Sequence, residues 1–135
     1  MDTHAIIHRA YHALPKDFTS PTGAPTGALY GLVSMLLKII TDLKPDYLAA
    51  CYDLPKPTIR HEAYDGYKAT RVKTDDALAL QIAESRKIFE AFSIPMYERE
   101  GFEADDLLGT IAEEIKSMTD VIIASGDMDT LQLVD

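Results

Sequence analysis

Three short apolar runs, residues 47–52, 94–97 and 121–125, alternate along the chain with longer stretches whose apolar residues recur at helical spacing. A short apolar run bounded by turn formers reads as a buried parallel strand, and parallel neighbours need crossovers of about a dozen residues, usually helical. The alternation therefore predicts an α/β domain with a parallel sheet between helices. Ile6, Ile7, Ala10, Tyr11 and Leu14 predict a first helix that stops at Pro15, and Pro21, Gly23 and Pro25 mark a loop over residues 15–25. Thr26 is placed to cap a second helix through Lys44, with Leu29, Val33, Leu36, Leu37 and Ile40 on its core face. Asp75 or Asp76 starts a helix to about Phe92, and a last helix over residues 103–117 carries Leu107, Leu108, Ile111 and Ile115 on its buried side. Of the three strands, residues 121–125 read most clearly.

A chain of 135 residues with 47% hydrophobic and 26% charged residues suits one ordinary folded domain rather than a disordered one. Its longest apolar stretches, residues 29–40 and 121–124, fall short of the roughly 20 residues a membrane span needs. No basic stretch followed by an apolar run marks the N-terminus for export, and the one cysteine, Cys51, suits a reducing compartment. The expected location is the cytoplasm, with no membrane partner.

A net charge of -9 speaks against a uniformly nucleic-acid-binding surface, but the charge is unevenly spread. Between residues 55 and 73, Lys56, Arg60, Lys68, Arg71 and Lys73 stand against Glu62 and Asp65, a local excess of +3. Acidic residues gather elsewhere. Asp53 follows the first predicted strand, Asp127 and Asp129 follow the last, and Glu103, Asp105 and Asp106 open the last helix. Ligands of parallel sheets collect beyond the carboxyl ends of the strands, and residues three apart share a helix face, so these groups are placed to form one acidic pocket. Clustered carboxylates repel unless a cation neutralises them, and a hard divalent ion such as Mg²⁺ or Mn²⁺ prefers such oxygen donors. Ions held this way cleave phosphodiesters by activating water and stabilising the leaving oxygen. The same residue types also serve as helix caps and turn residues, so each acidic group taken alone has a purely structural reading.

The acidic segments Glu103-Ala104-Asp105-Asp106 and Gly126-Asp127-Met128-Asp129, with Leu131-Gln132-Leu133-Val134, resemble the 5′–3′ exonuclease domain of bacterial DNA polymerase I, a relative of the flap endonucleases. His8-Arg9-Ala10-Tyr11-His12, Lys44-Pro45-Asp46-Tyr47, Arg60-His61-Glu62 and the segment from Tyr64 to Arg71 resemble the same family in the same order. The resemblance implies a PIN-like, resolvase-like α/β core over residues 1–135, the N-terminal part of a 5′-nuclease domain, with a helical arch segment at about residues 55–75. It implies two divalent ions, with Asp2, Asp53, Glu103, Asp105, Asp106, Asp127 and Asp129 matching metal-binding carboxylates. Asp53, Asp106 and Asp127, with Lys68 and Arg71, are the expected catalytic set. Arg60, Tyr67, Lys68, Arg71 and Lys73 are the expected DNA contacts, Lys68 and Arg71 reaching the scissile phosphate and Tyr67 stacking on a base. Family members carry an apolar strand ending in Asp-Gly where this chain reads Met1-Asp2-Thr3, which leaves Asp2 on an expected untethered and poorly ordered end. The family's remaining half, with two further metal-binding aspartates and a helix-hairpin-helix, lies beyond the matched segments, so the chain reads as the core truncated at both ends.

The reaction so implied is metal-dependent hydrolysis of DNA at 5′ flaps or 5′ ends in replication and repair, next to a fused or separately encoded polymerase. Two other readings share these residues: a non-catalytic DNA-binding remnant and a PIN-type ribonuclease.

Overall fold

The computed structural model describes residues 1–66, 68 and 73–134. Helix α1 spans Thr3–Ala13 and opens on Asp2, whose carboxylate accepts the Ala5 N–H at 3.0 Å, and it ends two residues before Pro15. Helix α2 spans Gly27–Leu43 and ends on Lys44 in the left-handed conformation, φ 47°, ahead of Pro45. Thr26 stands at its start without a side-chain capping bond. The cap comes from far along the chain instead: Gln81 Oε1 accepts the N–H groups of Ala28 at 2.8 Å and Leu29 at 3.3 Å.

The buried stripe of α2 is Ala28, Leu32 and Leu36, one residue in every four, with Ile40 packed against the same core, and it matches the expected face only in part. Leu36 belongs to both, but Leu37 is 46% exposed. The reason is that α2 is apolar almost all round, so periodicity alone leaves its rotation open. Packing decides it. Gly31 lies against Ala10 of α1, where an added Cβ would come within 2.4 Å of the Ala10 Cβ, and this close approach turns Leu32 and Leu36 inward.

Strand β1, Ala50–Cys51, pairs in parallel with β2, Met96–Tyr97, with Ala50 opposite Met96 and Cys51 opposite Tyr97. The expected run over residues 47–52 is thus shorter at its front, where Tyr47 is 92% exposed. Between the strands lie the short helix α3, Ile59–Ala63, and α4, Asp76–Ala91, capped by Asp75. Beyond them come α5, Ala104–Ile115, and a 3-10 helix, Met128–Leu133.

Side chains alternate across a strand, and β1 uses this to face two cores. Ala50 and Tyr52 enter a cluster with Ile7 of α1, Leu32 and Leu36 of α2 and Leu78 and Phe89 of α4. Cys51 points the other way, against Ala104 and Leu108 of α5. Helices therefore cover both faces of a small parallel sheet, as the alternation of runs predicts.

Two expectations about this sheet are corrected. Met1 and Asp2 are not loose: the Met1 amino group donates to Ala49 O at 2.9 Å, Cys51 N–H to Met1 O at 2.9 Å, and Asp2 N–H to Ala124 O at 2.8 Å. Residues 1–2 lie between β1 and residue 124, and Asp2 is only 6% exposed. Residues 121–125 are not a strand. Their neighbour turns into α1 at Thr3, which leaves, among the described residues, a single backbone bond at Ala124, and Ile122 is 67% exposed. Ile123 and Ala124 still pack into the two cores on opposite sides. Among the described residues, no helix is long and apolar enough to cross a membrane.

Candidate functional site

At the carboxyl end of β1, Asp53 reaches the first turn of α5. Its Oδ1 accepts the Ala104 N–H at 2.6 Å, a carboxylate on a helix N-terminus where the dipole favours negative charge. Its own N–H donates to His4 Nδ1 at 3.2 Å, so that ring nitrogen carries no proton. The 4.0 Å separation of this nitrogen from Asp53 Oδ2 is then no ion pair. His4 went unnoticed in the sequence, where a histidine two residues after Asp2 carries no motif.

The start of α5 is a reciprocal cap. Glu103 accepts from the backbone of Asp106, and Asp106 Oδ2 accepts the Glu103 N–H at 2.9 Å. This turns both carboxylates to one side, and Arg60 of α3 meets them there. Arg60 donates through Nη1 to Glu103 Oε2 at 2.6 Å and Asp106 Oδ2 at 3.0 Å, and through Nη2 to Asp106 Oδ1 at 2.7 Å. Asp105 Oδ1 lies 3.5 Å from Nη1, and Lys68 pairs with Glu103. Burial pushes the Asp105 carboxyl above its ordinary value, with Asp106 and Glu103 adding to the rise while Arg60 opposes it. For Arg60 burial works downward, but the bond to Asp106 and the charges of Asp105, Asp106 and Glu103 together outweigh it and raise the guanidinium. An open cleft of about 360 Å³ lies beside this group, lined by Asp53, Thr58, His61, Lys68, Phe102 and Glu103 among others.

A second acidic group forms around Ser125. Its hydroxyl donates to Asp2 Oδ2 at 2.7 Å and accepts the Asp127 N–H at 3.0 Å, joining residues at the two ends of the chain. Ser125 was also missed, because a lone serine before a glycine signals only a turn. Asp127 then caps the 3-10 helix by accepting the Asp129 N–H at 3.0 Å. Asp129 is exposed, and so is Lys73.

The expected carboxylates thus fall into two groups, Asp53 with Glu103, Asp105 and Asp106, and Asp2 with Asp127, to which Asp129 is joined through its backbone N–H. Among the described residues, no three acidic, histidine or cysteine side chains converge in a metal-holding arrangement. What stands among the α5 carboxylates is the guanidinium of Arg60. Tyr67 and Arg71, expected at the DNA, lie outside the described residues. The donors nonetheless fit a hard divalent ion: they are all oxygens, and Asp105 Oδ1 is buried with no hydrogen-bond partner.

Known proteins resemble this chain over its whole length. DNA polymerase I of Caldicellulosiruptor bescii is 42% identical over 135 residues, covering 99% of this chain and 16% of that protein. DNA polymerase I of Chloroflexus aurantiacus is 38% identical, over 100% of this chain and 14% of its own length. The chain therefore spans about a sixth or less of these curated relatives. Two solved structures share the fold. The T5 D15 protein co-crystallized with metal ions has a TM-score of 0.68 at 22% identity, covering 99% of this chain and 50% of that one. T5 5′-exonuclease with bound zinc has a TM-score of 0.68 at 23% identity, with the same coverage. The family described as 5′-3′ exonuclease, N-terminal resolvase-like domain, matches residues 1–135. With that match spanning every residue, and with helices on both faces of a small parallel sheet, the chain belongs to the family of 5′–3′ exonuclease N-terminal resolvase-like domains.

Proposed function

We propose that residues 1–135 form the N-terminal part of a metal-dependent nuclease domain that hydrolyses DNA phosphodiesters at 5′ flaps or 5′ ends, with residues 55–75 as its arch segment. The observation that carries this reading is the meeting of Arg60 and Lys68, from the basic segment, with Glu103, Asp105 and Asp106 at the start of α5. Hydrolysis of a phosphodiester needs both halves of this arrangement: oxygens for a divalent ion and cations for the phosphate.

Asp53, Glu103, Asp105 and Asp106 would hold one Mg²⁺ or Mn²⁺, and Asp2, Asp127 and Asp129 a second. Such ions supply activated water and neutralise charge on the leaving oxygen. This chain's own residues do the rest. The reciprocal cap at α5 orients Glu103 and Asp106, and Ser125 fixes Asp2 relative to Asp127. Lys68, with Arg71, offsets charge on the transition state, while Arg60, Tyr67 and Lys73 steer the DNA strand along the cleft. DNA is the substrate and a polymerase the natural fused or separate partner, because the curated relatives are DNA polymerases I.

The test is cleavage of a fluorescent 5′-flap DNA in Mg²⁺ or Mn²⁺, by this chain alone and by this chain joined to the rest of the nuclease region of a relative. Cutting by either form, lost in Asp106→Ala, is the expected result. A folded protein that cuts in neither form sinks the catalytic reading. Carboxylates engaged by Arg60 and Lys68 also favour a second reading, a DNA-binding unit without catalysis; it predicts salt-dependent DNA binding that survives Asp105→Ala and Asp127→Ala with no cleavage. Presenting RNA beside DNA in the same assay separates both from a PIN-type ribonuclease.

A further inference from the structure

We propose that Arg60 is an exchangeable internal counter-ion: it holds the α5 carboxylates when no metal is present, and a divalent ion must displace it, which undocks α3. The inference rests on the metal-dependent reading above.

The geometry of Arg60 carries the argument. Its guanidinium makes three bonds of 2.6–3.0 Å to Glu103 and Asp106, two of them a fork onto both oxygens of Asp106. A planar fork of this kind is the strongest pairing that arginine forms with a carboxylate. Glu103 and Asp106 are largely shielded, with side chains 9% and 23% exposed, so a charge is required among them when no ion is there. A dication needs those same oxygens, and it repels the guanidinium across a few ångströms. The two cations therefore compete for one place.

What Arg60 holds in position is α3, which follows the buried Thr58. The helix is five residues long with none buried, and Ile59 is half exposed. Among the described residues, its backbone tie to the α5 side is a single bond from Ile59 N–H to Gly101 O at 2.9 Å. Displacing Arg60 removes the main link between α3 and α5. By linkage, ion binding weakens α3 docking by the same factor by which docking weakens ion binding. Exchange would leave Arg60 on the side of the cleft, its charge turned from carboxylate to phosphate.

Two measurements on the full chain decide this, with Mn²⁺ as the probe. The first is Mn²⁺ affinity by calorimetry for the wild type, Arg60→Gln and Arg60→Lys. Arg60→Gln is expected to bind Mn²⁺ about tenfold more tightly, and Arg60→Lys, which keeps the charge but not the fork, by a smaller factor. The second is amide hydrogen exchange over residues 59–63 of the wild type, expected to accelerate when Mn²⁺ saturates the site. Unchanged or weaker Mn²⁺ binding by a folded Arg60→Gln overturns the inference. If that variant does not fold, the wild-type exchange decides alone, and slowed or unchanged exchange over residues 59–63 overturns it. Metal-dependent flap cleavage with no effect of Mn²⁺ on α3 sinks the exchange and leaves the nuclease reading standing. Failure of all three proteins to bind Mn²⁺ sinks the exchange, while cleavage by the joined form decides the nuclease reading separately.

Discussion

Tyr52 is fully buried, and its hydroxyl lies 2.7 Å from Ser85 Oγ. The serine's one proton goes to Ile82 O at 2.6 Å, so Tyr52 is the donor in the pair. Tyr52→Phe removes that donor and is expected to cost about 1 kcal/mol, read as a shift in the urea midpoint at unchanged slope. Asp75 gives a pH-dependent counterpart. The Ala77 N–H and then the Tyr11 hydroxyl hold its carboxyl below the ordinary 3.8. A depressed carboxylate contributes stability that is fully present above the unfolded value and lost as pH falls through the folded one. Asp75→Ala should therefore melt at a lower temperature than the wild type at pH 7, and the gap should begin to narrow as the pH falls below 3.8 and close beneath the lower folded value. A gap that persists in acid would show that the cap works without its charge. At this scale the acidic motifs were legible in sequence, because Glu103 and Asp106 are three apart and the helix turns them together. His4, Gln81 and Ser125 were not, since their partners lie 49, 53 and 123 residues away.

Helices α1 and α2 meet where Gly31 faces Ala10, and there is no room for a methyl group between them. Gly31→Ala should separate the pair and destabilise the fold by about 1–3 kcal/mol, against the small gain an alanine gives an exposed helix. Thermal unfolding of the variant checks the sign, and a stabilised variant would mean that the crossing is looser than drawn. The same contact explains the rotation of α2. Leu29 and Leu37 satisfy the helical period as well as Leu32 and Leu36 do, and only the neighbour chooses between the two stripes. Residues 121–125 show the opposite failure. Their composition is that of a strand, but a strand exists through pairing, and Met1 and Asp2 give this one a single bond.

Across the whole molecule, Asp2 joins parts of the chain that are far apart in sequence: its N–H goes to Ala124, and its carboxylate takes Ala5 N–H and Ser125 Oγ–H. Asp2→Ala is expected to cost about 1–2 kcal/mol and to speed amide exchange at residues 124–127, whereas Asp2→Asn should recover most of the stability by keeping an acceptor for Ala5. Equal exchange at residues 124–127 in the alanine variant would count against the tie. The linear chain carries the α/β class, the helix starts near Thr26, Asp75 and Glu103, and a basic segment set apart from the acidic ones. These depend on local period, capping chemistry and charge, all of which act within a few residues. Only the tertiary structure decided that Met1 and Asp2 lie between β1 and residue 124, which stripe of α2 is buried, and that Arg60 stands among the α5 carboxylates. Those outcomes depend on which distant surfaces meet, and neither hydrophobic period nor net charge carries that information along a chain.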